Sequence, residues 1–203
     1  MPGLPLHTEA IVLLKQPPAD RFQQLTVLAP AHGPLVCLRR LSARSASPAL
    51  DLFDEAELML ESSNQGRTWF LREARLLVRH TAIGRGYDAL RFASAFAAVL
   101  ARNAVEEEGR AKAYALARQT FAAFDTAGRP DIVYFKALFC FARDEGYPVK
   151  QEWWQGLPPA ERPGAADLLN RPLAAQTAPV ADVGRLTRLL EDYLRTSTEI
   201  LMK

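Results

Sequence analysis

Arginines are concentrated in one short segment of the first half of the chain. Arg39, Arg40 and Arg44 lie within six residues, in the segment RRLSARSASP, which is rich in Ser and Ala and has no acidic residue. Guanidinium groups bind phosphate oxygens through paired N–H donors, and a loop of small residues can follow a nucleic-acid backbone. The segment therefore predicts a DNA-binding loop; the alternative is a solvated surface with scattered arginines. Other cations that could extend the site are Lys15, Arg21, Arg67 and Arg72.

Residue patterns typical of enzyme active sites are not found in the sequence. His7, His32 and His80 are far apart, and none has a nucleophile or a metal ligand at a diagnostic spacing. There is no glycine-rich phosphate loop and no G-x-S-x-G segment. We therefore predict a protein that is not an enzyme and that needs no cofactor. The alternative is an active site whose residues are dispersed along the chain.

The two cysteines, Cys37 and Cys140, each stand in an apolar run. Two thiolates are too few for a tetrahedral zinc site, which needs four ligands. The apolar surroundings predict two buried free thiols in a reducing compartment, and a disulfide between them is the alternative.

The composition is that of a globular protein with little excess charge. Of 203 residues, 49% are hydrophobic and 24% charged, and the net charge is +2. Proteins that bind phosphates through overall charge are usually more basic, so affinity for DNA must come from local clusters. The apolar run 92–101 is too short to cross a bilayer, and the first residues do not form a signal-peptide pattern. We expect a soluble, cytoplasmic protein without a membrane partner.

Alternating apolar and polar residues predict β-strands in the first half of the chain. The clearest case is 55–61, where Glu55, Glu57 and Glu61 alternate with apolar residues and are expected to face solvent. Four more short apolar segments end in turn-forming residues. The five predicted strands are Thr8–Leu14, Gln24–Ala29, Leu35–Arg40, Glu55–Glu61 and Thr68–Leu77. Five short strands joined by tight turns favour a small closed barrel of the OB-fold type.

From about residue 84 the spacing of apolar residues changes to the 3.6-residue repeat of helices. The predicted helices are one that Asp88 would cap, Glu107–Thr126, a central one over Pro130–Gly146, and Val180–Leu201. Residues 156–179 are predicted to be mostly loop, with one or two helical turns at 165–170. We therefore predict a multidomain α+β protein: an N-terminal five-stranded OB-fold β-barrel, residues 1–80, followed by an all-α helical domain, residues 81–203.

Five segments that together span nearly the whole chain carry a resemblance to a known family. They are TEAIVLLKQ, LTVLAPAHGPLVCL, LDLFDEAELMLE, FKALFCFARDEGYP and LTRLLEDYLRTSTE. In this order they resemble the RecO family of bacterial recombination mediators. The resemblance implies an OB-fold joined to an α-helical domain. It also implies binding to single- and double-stranded DNA, annealing of complementary strands, and help in loading the recombinase RecA. The implied protein partners are RecR and the C-terminal tail of single-strand-binding protein (SSB).

The chain departs from the RecO pattern at two places. Many members have a four-cysteine zinc motif after a Gly-Tyr-Pro segment, whereas residues 146–148 are followed here by VKQEWW, so zinc is not implied. Trp153 and Trp154 are expected to pack where the metal would hold a loop. The basic loop also differs, since the family often has Lys-Gly-Ala-Arg-Arg where this chain has LRRLSAR at 38–44.

For the SSB tail, which is acidic and ends in an apolar pair, the resemblance implies an apolar pocket rimmed by cations. Lys136 and Arg143 flank Phe139 on the third predicted helix and are the candidates. The alternative is a lysine whose apolar stem covers its neighbours and an arginine on the surface. The function predicted from the sequence is that of a recombination mediator. The alternative function is a protein-interaction adaptor whose OB-fold has lost strong DNA binding.

Overall fold

The computed structural model describes residues 4–41, 49–63, 68–104 and 106–202. The chain divides into two units. Unit 1 comprises Met1–His80 and Leu100–Arg118, and unit 2 comprises Thr81–Val99 and Gln119–Lys203. Unit 1 therefore contains a helical segment in addition to the strands.

All five predicted strands are present. They are β1 (Pro5–Lys15), β2 (Phe22–Ala29), β3 (Gly33–Arg40), β4 (Glu55–Ser63) and β5 (Thr68–Val78). Each predicted strand lies within an observed one, which confirms the period-two pattern as the local signal for this half of the chain.

The strands pair in the order β1-β2-β3-β5-β4, and β4 pairs again with β1, so the sheet closes on itself. Most neighbours are antiparallel, whereas β3 and β5 run parallel, with 37–39 opposite 69–71. We call this element the closed sheet. Each strand has two neighbours, so closure pairs the edges that an open sheet would expose.

The inner face of the closed sheet forms the core of unit 1. The buried side chains that line it include Ala10, Val12, Leu25, Val27, Cys37, Ala56, Leu58 and Leu60. Residues at every second position of a strand share a face, which is why this set alternates along β2 and β4. Both cysteines are free thiols, but only Cys37 is fully buried as predicted, and Cys140 is half-buried.

Glu55 does not lie on the solvent face where the sequence predicts it. The register between β4 and β5 shifts between Glu55 and Ala56, which takes Glu55 out of the alternating pattern. Its side chain is only 6% exposed, and its Oε2 accepts a hydrogen bond from Nε of Arg118 at 2.8 Å. A cation that lies far away in sequence therefore compensates the buried carboxylate, and the strand pattern contains no sign of it.

Six α-helices follow the strands in the described residues. They are α1 (Tyr87–Asn103), α2 (Arg110–Thr126), α3 (Pro130–Asp144), α4 (Glu152–Gly156), α5 (Arg162–Asn170) and α6 (Val180–Ser197). A five-stranded sheet followed by a helical region confirms the predicted α+β class. In the part of the chain that the structure describes, none of the helices combines the length and apolar character that a membrane span needs.

The starts of α1 and α2 differ from the prediction. Asp88 lies within the first turn of α1 and accepts a hydrogen bond from Arg91 at 3.1 Å, so it does not precede the helix as a cap. The acidic triplet 106–108 precedes α2, which begins at Arg110. This helix therefore begins three residues later than the predicted start at Glu107.

The helical turns predicted at 165–170 are confirmed: they form part of α5, which begins three residues earlier, at Arg162. Pro163 lies at the N-terminal end of α5, where a helix does not need the missing N–H, so it is compatible with helix here. The last helix is shorter than predicted, because α6 ends at Ser197 and Leu201 is 56% exposed.

α3 is the central helix of unit 2, as its apolar circumference predicts. Nine of its 15 residues are buried. Trp153 of α4 packs against it, with ring centroids 5.9 Å from both Phe135 and Phe139. Trp153 is 3% exposed, whereas Trp154 is half-buried. Trp153 is therefore part of the aromatic core.

Candidate functional site

Three of the predicted DNA-binding arginines lie together at one end of the β2–β3 ladder. Arg40 is opposite Phe22, and Arg39 is opposite Gln23. The backbone N–H of Leu41 donates to the carbonyl oxygen of Arg21 at 2.7 Å, which holds Arg21 at the same end. Among the described residues, no carboxylate forms an ion pair with any of these three arginines. We call them the arginine cluster.

Neighbouring residues on a strand face opposite sides, so Arg39 and Arg40 are placed differently. Arg40 is exposed on the outer side of the closed sheet. Arg39 is in register with Leu71, which packs against the core, so Arg39 belongs to the inner side at the end of the closed sheet. It is half-buried, and its Nε atom is buried without a hydrogen-bond partner among the described residues. Arg40 is therefore the more accessible of the two arginines for a ligand.

The other predicted cations of unit 1 are paired or outside the described residues. Lys15 Nζ lies 3.0 Å from Oδ1 of Asp51, and this contact helps to hold the pKa of Asp51 below its usual value against the effect of burial. Arg72 lies 2.6 Å from Oε2 of Glu61. Both pairs are at the surface, where such pairs are worth little and can be exchanged for a phosphate. Arg44 and Arg67 fall outside the described residues.

The aromatic residues of the first half divide between the core and the outer face. Phe53 is buried, and Trp69 packs against the core. Phe22 and Phe70 are on the outer face, with ring centroids 6.0 Å apart and planes inclined by 61°. Phe22 is 36% exposed. We call the outer side of β2, β3 and β5, with these two rings and Arg40, the outer face. The sequence alone does not assign these aromatic residues to a side of the sheet.

In unit 2, the three residues predicted to bind the SSB tail line one cavity of about 400 Å³. Its lining consists of Lys136, Phe139, Cys140, Arg143, Lys150, Trp154, Leu169 and Asn170. The α3 residues lie three and four positions apart, which places them on one face of the helix. The lining contains three cations and no carboxylate. We call this cavity the α3–α4 pocket.

The cations of the α3–α4 pocket differ in their partners. Lys136 Nζ donates to the carbonyl oxygen of Arg171 at 2.6 Å, and burial lowers the pKa of Lys136. Arg143 pairs with Asp144 at 2.8 Å. Lys150 and Trp154 complete the rim, and sequence reasoning did not assign them to it.

A second cavity of about 400 Å³ in unit 2 has balanced charge. Its charged lining is Asp88, Arg91, Arg129, Asp131, Arg188 and Glu191. Arg129 pairs with Asp131 at 2.8 Å. Tyr134 donates to Oε1 of Glu191 at 2.9 Å, and burial together with this carboxylate raises the pKa of Tyr134. Because charges of both signs line it, this cavity selects an anionic ligand less strongly than the α3–α4 pocket.

The histidines do not form a site with one another. His7 and His32 are exposed, whereas His80 is buried with its Nε2 atom 3.7 Å from Oε1 of Glu55. Within the described ranges, no group of three or more His, Cys, Asp or Glu side chains is arranged to hold a metal ion.

Two comparisons of the sequence with known proteins found no match. No model of a known protein family matches the chain, and no curated protein sequence matches it. The likeness to RecO therefore rests on the five sequence segments.

Proposed function

We propose that the chain is a recombination and repair mediator of the RecO type. It binds single- and double-stranded DNA, anneals complementary strands and helps to load RecA on SSB-coated DNA, with SSB and RecR as protein partners. The observation that carries the proposal is the arginine cluster, Arg21, Arg39 and Arg40, at one end of the β2–β3 ladder. Annealing needs neutralisation of phosphate charge and positioning of the strands, and guanidinium groups supply both.

An OB-fold is the finer description that we propose for the closed sheet. Five strands in the order β1-β2-β3-β5-β4, with β1 paired to both β2 and β4, support it. OB-folds bind oligonucleotides on the face of strands two and three and with adjoining loops. In this chain that face contains Arg40 and Phe22, and the adjoining segment contains Arg21.

Salt-dependent binding tests the DNA-binding part of the proposal. Each phosphate contact to a single strand contributes about 0.7 to the slope of log affinity against log salt, so removing three arginines should reduce the slope by roughly 2. Fluorescence anisotropy with a labelled single strand at several salt concentrations measures it. The variant with Arg21, Arg39 and Arg40 all replaced by Ala should bind weakly and anneal complementary strands slowly.

A matched control removes three arginines elsewhere. Arg171, Arg185 and Arg195 are exposed on unit 2, and each is paired with a carboxylate. Replacing these three by Ala should change DNA affinity much less. If affinity and slope are unchanged in the variant of the arginine cluster, the DNA-binding site proposed here is wrong.

The α3–α4 pocket supports the SSB tail as a second ligand. An acidic peptide with an apolar end needs cations at the rim and apolar surface below, and the pocket has three cations together with Phe139, Trp154 and Leu169. The charges of peptide and pocket are complementary, which favours association and selects against basic peptides.

Titration of a labelled SSB-tail peptide tests this pocket. Arg143→Ala and Trp154→Ala should each weaken binding by about tenfold, since they remove a charge-assisted contact and apolar surface, respectively. Arg91→Ala in the charge-balanced cavity of unit 2 is the control. Absence of binding by the unmodified protein at tens of micromolar would dismiss the pocket as the SSB-tail site.

The alternative function is an adaptor that binds proteins but not DNA. It is favoured by the ion pairs of Lys15 and Arg72, which reduce the free positive charge of unit 1. Binding of the tail peptide without salt-sensitive DNA binding and without annealing would support the adaptor over the mediator.

A further inference from the structure

Two phenylalanines lie on the same outer face as Arg40, which forms no ion pair among the described residues. Phe22, the first residue of β2, lies directly opposite Arg40 in the β2–β3 ladder. Phe70 of β5 is opposite Leu38, the neighbour of Arg40 two positions back on the same face. The two rings are in edge-to-face contact, with centroids 6.0 Å apart. An aromatic pair and an arginine thus share one continuous patch of the sheet.

The exposed aromatic surface is not required by the core of unit 1. The inner face is filled by aliphatic side chains and by Trp69, whereas Phe22 keeps 36% of its surface accessible and Val36, further along the same face, keeps 38%. Apolar surface next to the exposed guanidinium group of Arg40 fits a ligand that has both flat apolar groups and regularly spaced negative charge. Single-stranded nucleic acid has both, because its unpaired bases expose their faces and its phosphates follow at each step.

We propose that Phe22 is a base-stacking residue and that Phe70 positions it, so that the outer face prefers single-stranded over duplex DNA. This inference rests on the proposed function, since it assumes that the closed sheet binds DNA. The rings are inclined by 61°, so one base cannot lie parallel to both of them. The more exposed ring, Phe22, receives the base, and the edge contact from Phe70 holds that ring in place.

The preference for single strands follows from what each form of DNA exposes. In a duplex, the base faces are stacked on one another inside the helix, and only edges and backbone are accessible. An exposed phenyl ring therefore gains little from a duplex but can stack on any unpaired base. Arg40 contacts backbone phosphate in either form, so charge supplies the affinity common to both and Phe22 supplies the difference between them.

The test compares three labelled ligands on the full-length protein: oligo(dT), a hairpin duplex, and an abasic oligonucleotide that keeps only the sugar-phosphate backbone. Phe22→Ala should weaken binding to oligo(dT) by about tenfold and leave the duplex and the abasic strand within about twofold. Phe22→Trp should retain affinity, and its fluorescence should be quenched by oligo(dT) beyond the response of the unmodified protein, which contains three tryptophans.

Two further variants separate positioning from general damage to the sheet. Phe70→Leu should lower the ratio of single-strand to duplex affinity by a smaller factor than Phe22→Ala. Val36→Ala, on the same face, should leave the ratio unchanged. Urea unfolding curves of all the variants show whether a loss of binding reflects a loss of folded protein.

The possible failures are distinguishable. If the unmodified protein binds none of the three ligands, the proposed function is wrong and the stacking role is wrong with it. If it binds DNA but Phe22→Ala weakens oligo(dT), duplex and abasic strand equally, only the stacking role is wrong. Self-association that Phe22→Ala abolishes, with DNA binding unchanged, would overturn the inference and identify a second copy of the chain as the occupant of this face.

Discussion

At the scale of single residues, the buried carboxylates of unit 1 show how charge is compensated inside the protein. Asp54 is 1% exposed and accepts two hydrogen bonds from the guanidinium group of Arg79. The Nε atom donates at 3.0 Å and the Nη2 atom at 2.7 Å. Glu55 is paired with Arg118. A carboxylate that is buried without a cation is strongly destabilising, so these arginines are needed where they stand.

Arg118→Met is expected to lower the free energy of unfolding by about 1–3 kcal/mol, because it removes the nearer basic side chain from the buried carboxylate of Glu55 and leaves His80 at 3.7 Å. Arg75→Met, at an exposed pair with Glu57, is the matched control and should cost less than about 1 kcal/mol. Urea denaturation measures both. The cost of Arg118→Met should shrink in a Glu55→Gln background, and equal costs in the two backgrounds would contradict the coupling.

The two cysteines should differ in reactivity. Burial raises the pKa of Cys37 to about 12, so at pH 8 only roughly one molecule in ten thousand has the thiolate form that reacts. In the folded protein a thiol reagent should modify Cys140, which is half-buried, at least tenfold faster than Cys37. Variants Cys37→Ser and Cys140→Ser assign the two phases. Similar rates for both thiols before denaturant is added would contradict the burial of Cys37.

At the scale of elements, the turn between β2 and β3 depends on a glycine. Gly33 has φ of +67°, which side-chain-bearing residues rarely adopt, and a Cβ there would lie 2.7 Å from the carbonyl oxygen of Ala104. Gly146, at the end of α3, also has a positive φ of +89° but no neighbour within 4 Å of that position. The two glycines therefore separate the cost of backbone conformation from the cost of a steric clash.

Gly146→Ala is expected to lower the free energy of unfolding by about 1 kcal/mol, the cost of the left-handed conformation alone. Gly33→Ala should cost about 2–4 kcal/mol, because the backbone of Ala104 must also move. Chemical denaturation followed by circular dichroism measures both. If the two variants are equally stable, the close approach of Ala104 to Gly33 is not rigid.

At the scale of the whole molecule, the two proposed binding surfaces share no residue and belong to different units. The arginine cluster and the outer face lie in unit 1, and the α3–α4 pocket lies in unit 2. Each surface combines cations with apolar side chains, but one is the outer side of a sheet and the other is a cavity.

The two binding activities should therefore be separable by substitution. Replacing Arg39 and Arg40 by Ala should reduce affinity for DNA and leave affinity for the SSB-tail peptide within about twofold, since the two surfaces share no residue. Arg143→Ala with Trp154→Ala should have the opposite effect. Anisotropy titrations of each variant with DNA and with the tail peptide show whether the two activities are separable. A parallel loss of both activities in either variant would show that the two surfaces are not independent.

Much of the fold is predictable from the sequence because the signals are local. The five strands follow from short segments of alternating apolar and polar residues that end in turn-forming residues. The position of α3 follows from its apolar circumference. The side chains of Lys136, Phe139 and Arg143 share a pocket because their spacing matches the helical repeat. The buried position of Glu55 and the contribution of Lys150 to the pocket are not predictable in this way, because both depend on residues brought together from distant segments.

The sequence alone identifies the five strands, the central helix α3 and the cations near β2 and β3, because these signals are local. Among the described residues, the tertiary structure pairs Lys15 and Arg72 with carboxylates but gives Arg21, Arg39 and Arg40 no ion pair. The tertiary structure also places the rings of Phe22 and Phe70 on the outer face of the sheet. The physical reason is register: closure of the sheet sets which side chains are neighbours, and packing of the shared core selects that register.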